Sequence, residues 1–220
     1  FAVPWHEHTV VGTTDTLLDQ ASLEPQPRPA EIEFLLETIA PYLSRPPQRT
    51  DIRAIYSGIR PLVRAASTRS TSQLGRDHLI QISDSGLVSV MGGKWTTYRH
   101  MAEDAVNQAA AVARLPARPC TTANLLIHGA PTLAGSSPAR LNSSNTLAPH
   151  SVPTYGTDSS QLKALIHSNP QFQQPLHARL SPVGGQVIWA ARHEMARTVE
   201  DVLARRTRAL FLDVEAALAA

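Results

Sequence analysis

Between Leu87 and Arg99 the chain reads Leu-Val-Ser-Val-Met-Gly-Gly-Lys-Trp-Thr-Thr-Tyr-Arg, an order that admits few local structures. A short apolar run stops at a glycine pair, and a lysine and two threonines follow. Tyr98, Met101, Ala102, Ala105, Val106 and Ala109 then recur at helical spacing to about Ala113. The reading is strand, tight turn and helix, with Thr96 or Thr97 supplying an N-cap oxygen. Such a turn gathers N–H groups, the positive end of a helix dipole and a cation at one point. That setting suits an anion or the electron-rich edge of a cofactor. Gly-Gly-Lys turns also serve as plain connections, so the neighbours decide.

Phe1–Trp5 and Thr9–Thr13 read as strands joined by a polar turn at residues 6–8. Prolines 25, 27 and 29 space a connector. Ile32, Leu35, Leu36, Ile39 and Leu43 then predict an amphipathic helix ending before Pro46-Pro47. Ile52–Tyr56 reads as a strand and residues 65–73 as a polar loop. His78–Ser83 and Leu87–Met91 flank Asp84-Ser-Gly86, a hairpin signal. Residues 129–160, rich in Ser, Pro, Thr, Asn and Gly, read as a linker or a long irregular loop with too little apolar content for a core. Helices are predicted over Gln161–His167, from about Val187, and over Thr198–Arg206. Thr198-Val-Glu-Asp201 approximates a capping box, and Asp213 is placed to cap the last helix.

A chain of 220 residues with 42% hydrophobic content can bury one sizeable core or two modest ones. A net charge of +2, with scattered basic residues and no interleaved aromatics, argues against nucleic acid. No apolar run reaches the length of a membrane span, so any membrane contact is expected to be peripheral. The single Cys120 excludes an internal disulfide and has no histidine near it in sequence, which reads as an unreactive thiol. His6 and His8 lack a third ligand. His193-Glu194 is half a zinc-protease motif with Arg197 where its second histidine would stand. No metal is expected.

Taken in order, Phe1-Ala-Val-Pro-Trp5, Val10-Val-Gly-Thr-Thr-Asp15, Tyr56-Ser-Gly-Ile-Arg-Pro-Leu62, Leu74-Gly-Arg-Asp-His-Leu-Ile80, the Gly92-Gly93-Lys94 turn and Arg192–Asp213 resemble the C-terminal half of the FAD-dependent glycerol-3-phosphate dehydrogenases. The resemblance covers roughly residues 1–115 and 180–215. It implies an α+β fold, with partial FAD-domain and cap-domain sheets, packed helices and a small all-α C-terminal domain. The implied divisions are 1–55, part of a substrate cap; 56–117, the C-terminal part of an FAD domain; 118–160, linker; and 161–220, helical domain. No G-x-G-x-x-G fingerprint occurs, and the chain opens in mid-strand at Phe1 without Met or a targeting signal. The expectation is therefore a C-terminal portion of a larger flavoenzyme, binding FAD poorly and inactive by itself.

The resemblance implies oxidation of sn-glycerol 3-phosphate to dihydroxyacetone phosphate, with FAD as cofactor and a membrane quinone as electron acceptor. It also implies a peripheral place on the inner membrane of a bacterium or a mitochondrion, and a possible homodimer. Two other functions share these motifs: an oxygen-using glycerol-3-phosphate oxidase, and a non-catalytic phosphate-binding or assembly module. Arg60, between Ile59 and Pro61, is either a surface arginine in a turn or a planar fork for phosphate. The resemblance places it beside substrate and flavin. Arg76 is either paired with Asp77 or, by resemblance, faces substrate. Gly75 stands where the family usually has Ser or Thr, which loosens its loop. Lys94 either bends into solvent or, by resemblance, joins Gly92, Gly93, Trp95, Thr96 and Thr97 at the isoalloxazine ring. There it would hold negative charge near N1 and the C2 carbonyl. Asp15 either caps its own turn or accepts a substrate hydroxyl. Arg205, Arg206 and Arg208 read as a solvated or interdomain basic face, with acidic lipid as the alternative.

Overall fold

A computed structural model of the chain describes residues 1–60, 78–130 and 152–220. They form an α+β arrangement of two separate two-stranded antiparallel sheets and six α-helices among the described residues, the last four helices C-terminal. The described chain divides into two compact units, Phe1–Gly58 with His128–Ala220, and Ile59–Ile127. The Arg76 motif and residues 65–73 lie outside the described residues, as do residues 131–151 of the expected linker.

In the first unit, β1 (Ala2–Trp5) pairs with β2 (His8–Val11) in the register Ala2↔Val11 and Trp5↔His8. A two-residue loop joins them, with His6 at φ 53°. The second strand thus ends two residues earlier than Thr13. Helix α1 (Pro29–Ile39) starts with proline at its first position, where a missing N–H costs nothing, and Glu31 accepts from Arg28 N–H at 2.8 Å. It ends at Ile39 and tightens into a 3₁₀ turn over Ala40–Tyr42, short of the expected Leu43. Pro41 is the cause: its ring cannot follow the carbonyl four residues back.

Ile52–Tyr56 forms no strand, a correction of the sequence reading. A 3₁₀ turn over Arg49–Asp51 precedes it, closed by Gln48 N–H donating to Asp51 Oδ2 at 2.8 Å. Its carbonyl at Arg53 then accepts from Val214 N–H at 3.1 Å, and the Tyr56 ring meets Phe211 edge-on at 5.1 Å. Side-chain packing and a helix terminus have taken the place of a ladder.

The core lies in the C-terminal helices α3 (Ser159–His167), α4 (Gly184–His193), α5 (Ala209–Leu212) and α6 (Val214–Leu218). Leu162, Ala190, Ala209 and Ala216 are at most 1% exposed. Small residues allow this closeness. A Cβ on Gly185 would stand 2.6 Å from Ile166 Cγ1, so α4 can approach α3 only with glycine there. Residues 152–158 are not linker: they form a 3₁₀ segment broken at Gly156 and lead into α3. Gly156 passes so near Gly129 that a Cβ would overlap its carbonyl oxygen. Thr157 N–H donates to that oxygen at 3.0 Å, and Gln186 Nε2 donates to the half-buried Tyr155 hydroxyl at 3.0 Å.

The two caps predicted in the C-terminal region form. Thr198 Oγ1 accepts from Asp201 N–H at 3.1 Å and Asp201 Oδ2 accepts from Thr198 N–H at 3.0 Å. The helical segment then widens to π geometry over Asp201–Arg206, where Thr207 N–H reaches back to Val202 C=O at 2.8 Å. Asp213, 4% exposed, accepts from Ala216 N–H at 2.9 Å at the start of α6 and from Arg179 at 3.1 Å. No helix among the described residues is long and apolar enough to cross a membrane.

Candidate functional site

In the second unit, β3 (His78–Ile82) and β4 (Val88–Gly92) make the expected hairpin, with His78 opposite Gly92 and Ile82 opposite Val88. Gly86, at φ 84°, donates to Ser83 C=O at 2.9 Å and closes the turn. Strand β4 runs through Gly93 and Lys94 into a 3₁₀ turn over Trp95–Thr97 and then helix α2 (Tyr98–Val112). The strand–turn–helix reading is therefore correct.

The glycine pair is required twice over. Gly92 and Gly93 have φ of 72° and 82°, the left-handed region where a side chain is strained. A Cβ on Gly93 would also stand 2.4 Å from Met101 Sδ and 3.3 Å from His78 Cβ. A side chain at Gly93 would be strained and would displace the tip of Met101 from beneath the end of β4.

Lys94, Trp95, Thr96 and Thr97 are exposed, and Trp95 stacks on Tyr98 with ring centroids 5.5 Å apart and an interplanar angle of 24°. The first bond within the helical segment runs from Thr97 N–H to Lys94 C=O at 3.0 Å, so the N–H groups of Trp95 and Thr96 precede it. Neither threonine supplies the expected cap. Lys94 holds the cap position in an extended conformation, and the Thr97 hydroxyl donates back to the Lys94 carbonyl at 3.0 Å. No side chain caps the leading N–H groups, which belong to exposed residues beside the lysine. An exposed stacked aromatic, an ammonium and uncapped N–H donors fit one edge of a planar, electron-rich ring.

The predicted site residues are distributed unevenly. Gly92, Gly93, Lys94, Trp95, Thr96 and Thr97 form one continuous turn. Arg60 is exposed and belongs, like Lys94, to the second unit; Arg76 lies outside the described residues; Asp15 is exposed in the first unit. Among the described residues no His, Cys, Asp and Glu cluster could hold a metal ion.

Sequence reasoning missed a polar pair directly behind the turn. His78 Nε2 stands 2.8 Å from Asp104 Oδ2, and His100 Nε2 stands 3.6 Å from the same oxygen. The two imidazoles meet edge-on, their centroids 6.1 Å apart. A signal was present, since Asp104 lies three residues after Met101, beside the apolar stripe of α2. Further along, Arg99 pairs with Glu103 at 2.7 Å and donates to Thr122 Oγ1 at 3.2 Å; hydrogen bonding to Glu103 raises its pKa above the ordinary arginine value. Cys120, 3.0 Å from Thr122 Oγ1, is an exposed thiol in this group.

A second concavity lies in the first unit, a cavity of about 440 Å³ bordered by β1–β2, α1, residues 52–56 and Phe211. Its walls are chiefly apolar, and His8 enters it with Nδ1 buried and unpartnered. The neighbouring His6 has its pKa lowered by burial and by the Arg208 charge.

Residues 120–220 match the family described as the C-terminal domain of alpha-glycerophosphate oxidase. Over 99% of its length the chain is 37% identical to the mitochondrial glycerol-3-phosphate dehydrogenase of Arabidopsis thaliana and 35% identical to those of Rattus norvegicus and Homo sapiens. It covers 37% of the plant protein and 31% of each mammalian one, about a third of the length of these relatives. The chain is thus similar along almost its whole length to about a third of these mitochondrial glycerol-3-phosphate dehydrogenases, and over residues 120–220 to the C-terminal domain of alpha-glycerophosphate oxidase.

Proposed function

We propose that this chain supplies the flavin-edge turn and part of the substrate clamp of an FAD-dependent enzyme oxidising sn-glycerol 3-phosphate to dihydroxyacetone phosphate. The observation that carries this reading is the Gly92–Thr97 turn, where two left-handed glycines lead into an exposed Lys94 and a helical start with no side-chain cap. The names of the relatives support the substrate and the reaction. FAD, held at this turn by Lys94 and the N–H groups beside it, would supply the hydride acceptor for C2 of the substrate. Lys94 and the N–H groups of Trp95 and Thr96 place positive charge where electron density on the ring edge grows. Arg60 and Arg76 hold the phosphate and hydroxyl oxygens, contributing through orientation. Asp15 accepts a substrate hydroxyl or caps its turn.

Electrons leave to a membrane quinone from a peripheral position, and the mitochondrial names of the relatives favour that organelle's inner membrane. The four segments divide as cap (1–55), FAD domain (56–117), an irregular connecting segment (118–160) that ends in the 3₁₀ segment Val152–Asp158, and helical domain (161–220). The likeness to an oxidase domain over residues 120–220 keeps the oxygen-using alternative in play, and peroxide release would reveal it.

The test is glycerol-3-phosphate-dependent dye reduction by the polypeptide carrying this chain together with its dinucleotide-binding portion. Arg60→Ala should raise KM more than tenfold, as expected for removal of a bidentate phosphate contact. Lys94→Ala should lower kcat with little change in KM. Wild-type kinetics in both variants would remove the assignment. The isolated 220 residues should purify without flavin absorbance and show no activity.

A further inference from the structure

We propose that the His78–Asp104 pair is the brace that aims the Gly92–Thr97 turn, making His78 and Asp104 positioning residues for the chemistry at Lys94. This rests on the reading of that turn as the flavin contact. The turn is the only covalent path from β4 into α2, and three freely turning residues there would let Lys94 and its neighbouring N–H groups point in several directions. Two contacts across the junction remove that freedom. Met101 packs under Gly93, which fixes the distance between hairpin and helix. A sulfur against a bare Cα has no directional preference, so it leaves the angle open.

The His78–Asp104 bond supplies the angle. His78 stands opposite Gly92 in the ladder, so its backbone is tied to the last residue before the turn. Its ring reaches past Gly93 to Asp104 on the second turn of α2, 2.8 Å from Oδ2. The bond therefore connects the residue before the turn to the helix after it. The bond is partly buried, with 17% of the His78 side chain and 36% of the Asp104 side chain exposed. His100 of α2 approaches the same carboxylate at 3.6 Å and meets the His78 ring edge-on, but at 64% exposure it is the weaker restraint between strand and helix. No other charged group among the described residues is recorded on the Asp104 carboxylate.

The experiment uses the flavin-loaded full-length enzyme and two readouts: amide hydrogen exchange over residues 93–97 and the flavin midpoint potential. Asp104→Ala sits on a partly exposed helical position that alanine favours, so the variant folds. It should speed exchange of the turn amides roughly fivefold, the size expected for losing one partly buried hydrogen bond, and make the potential more negative. Asp104→Asn keeps an oxygen able to accept from His78 and should restore both readouts, which a general stability role would not require. Exchange and potential unchanged in Asp104→Ala would overturn the brace while Lys94→Ala still shifts the potential. An unshifted potential in Lys94→Ala would overturn the flavin reading of the turn, and with it the purpose given to the brace.

Discussion

In the C-terminal helices, Leu162, Ala190, Ala209 and Ala216 are sealed from water, whereas among the described residues of the second unit no side chain is buried. Both regions follow the same rules of periodicity and capping. The helical region uses small residues to bring backbones together, so that Ala209 and Ala216 cluster with Leu180 and gather Leu203 and Leu210 around them. The hairpin–helix region spends its glycines on the reverse purpose. Gly92 and Gly93 bend the chain so that a polar, exposed turn is held by partners beneath it. Leu79, Val90 and Val106 are 41–66% exposed there, and a two-stranded ribbon with such a surface is marginal alone. One region is a scaffold that excludes water, and the other leaves its polar turn exposed.

The contrast predicts unequal costs for similar truncations. Leu162→Ala should cost about 3 kcal/mol by urea unfolding, as for a buried leucine that leaves a cavity, and Met101→Ala only about 1 kcal/mol at its half-exposed site. Equal costs would erase the distinction. Gly93→Ala forces a strained φ and a clash with Met101, so it should lose roughly 1–3 kcal/mol. Gly58→Ala, with nothing within 4 Å of the added carbon, should cost little in the same assay. Thr198→Ala removes an N-cap and should cost about 1 kcal/mol.

The smallest effect is in acid. N–H donors at Arg197 and Thr198 hold the Asp201 carboxyl below its ordinary pKa. Its contribution is therefore complete above the unfolded value of about 3.9 and is lost as pH falls through the lower folded value. Asp201→Asn should flatten that part of the stability curve, read as the urea midpoint against pH.

What could be read directly from sequence followed the reach of the forces involved. Thr198 and Asp201 are three residues apart, and the cap of Asp213 on Ala216 is equally local, so spacing alone revealed both. The Gly92-Gly93 turn was visible because a strand pattern stops there and a helix pattern begins. Pro41 was visible too, yet the apolar repeat through Leu43 masked its effect on α1. The failures lay at long range. His78 and Asp104 are 26 residues apart, and Val214 donates to Arg53 across most of the chain. The Ser- and Pro-rich composition of residues 129–160 also hid the segment Val152–Asp158, whose order comes from contacts of Tyr155 and Gly156 with distant partners.

The turn's assignment is tested most directly by the midpoint potential of the bound flavin in the full-length Lys94→Met enzyme. Removing one positive charge beside the ring should make the two-electron potential more negative by about 30 mV or more, the equivalent of a tenfold change in equilibrium. A potential equal to that of the unaltered enzyme would mean that Lys94 and its turn face something other than the flavin.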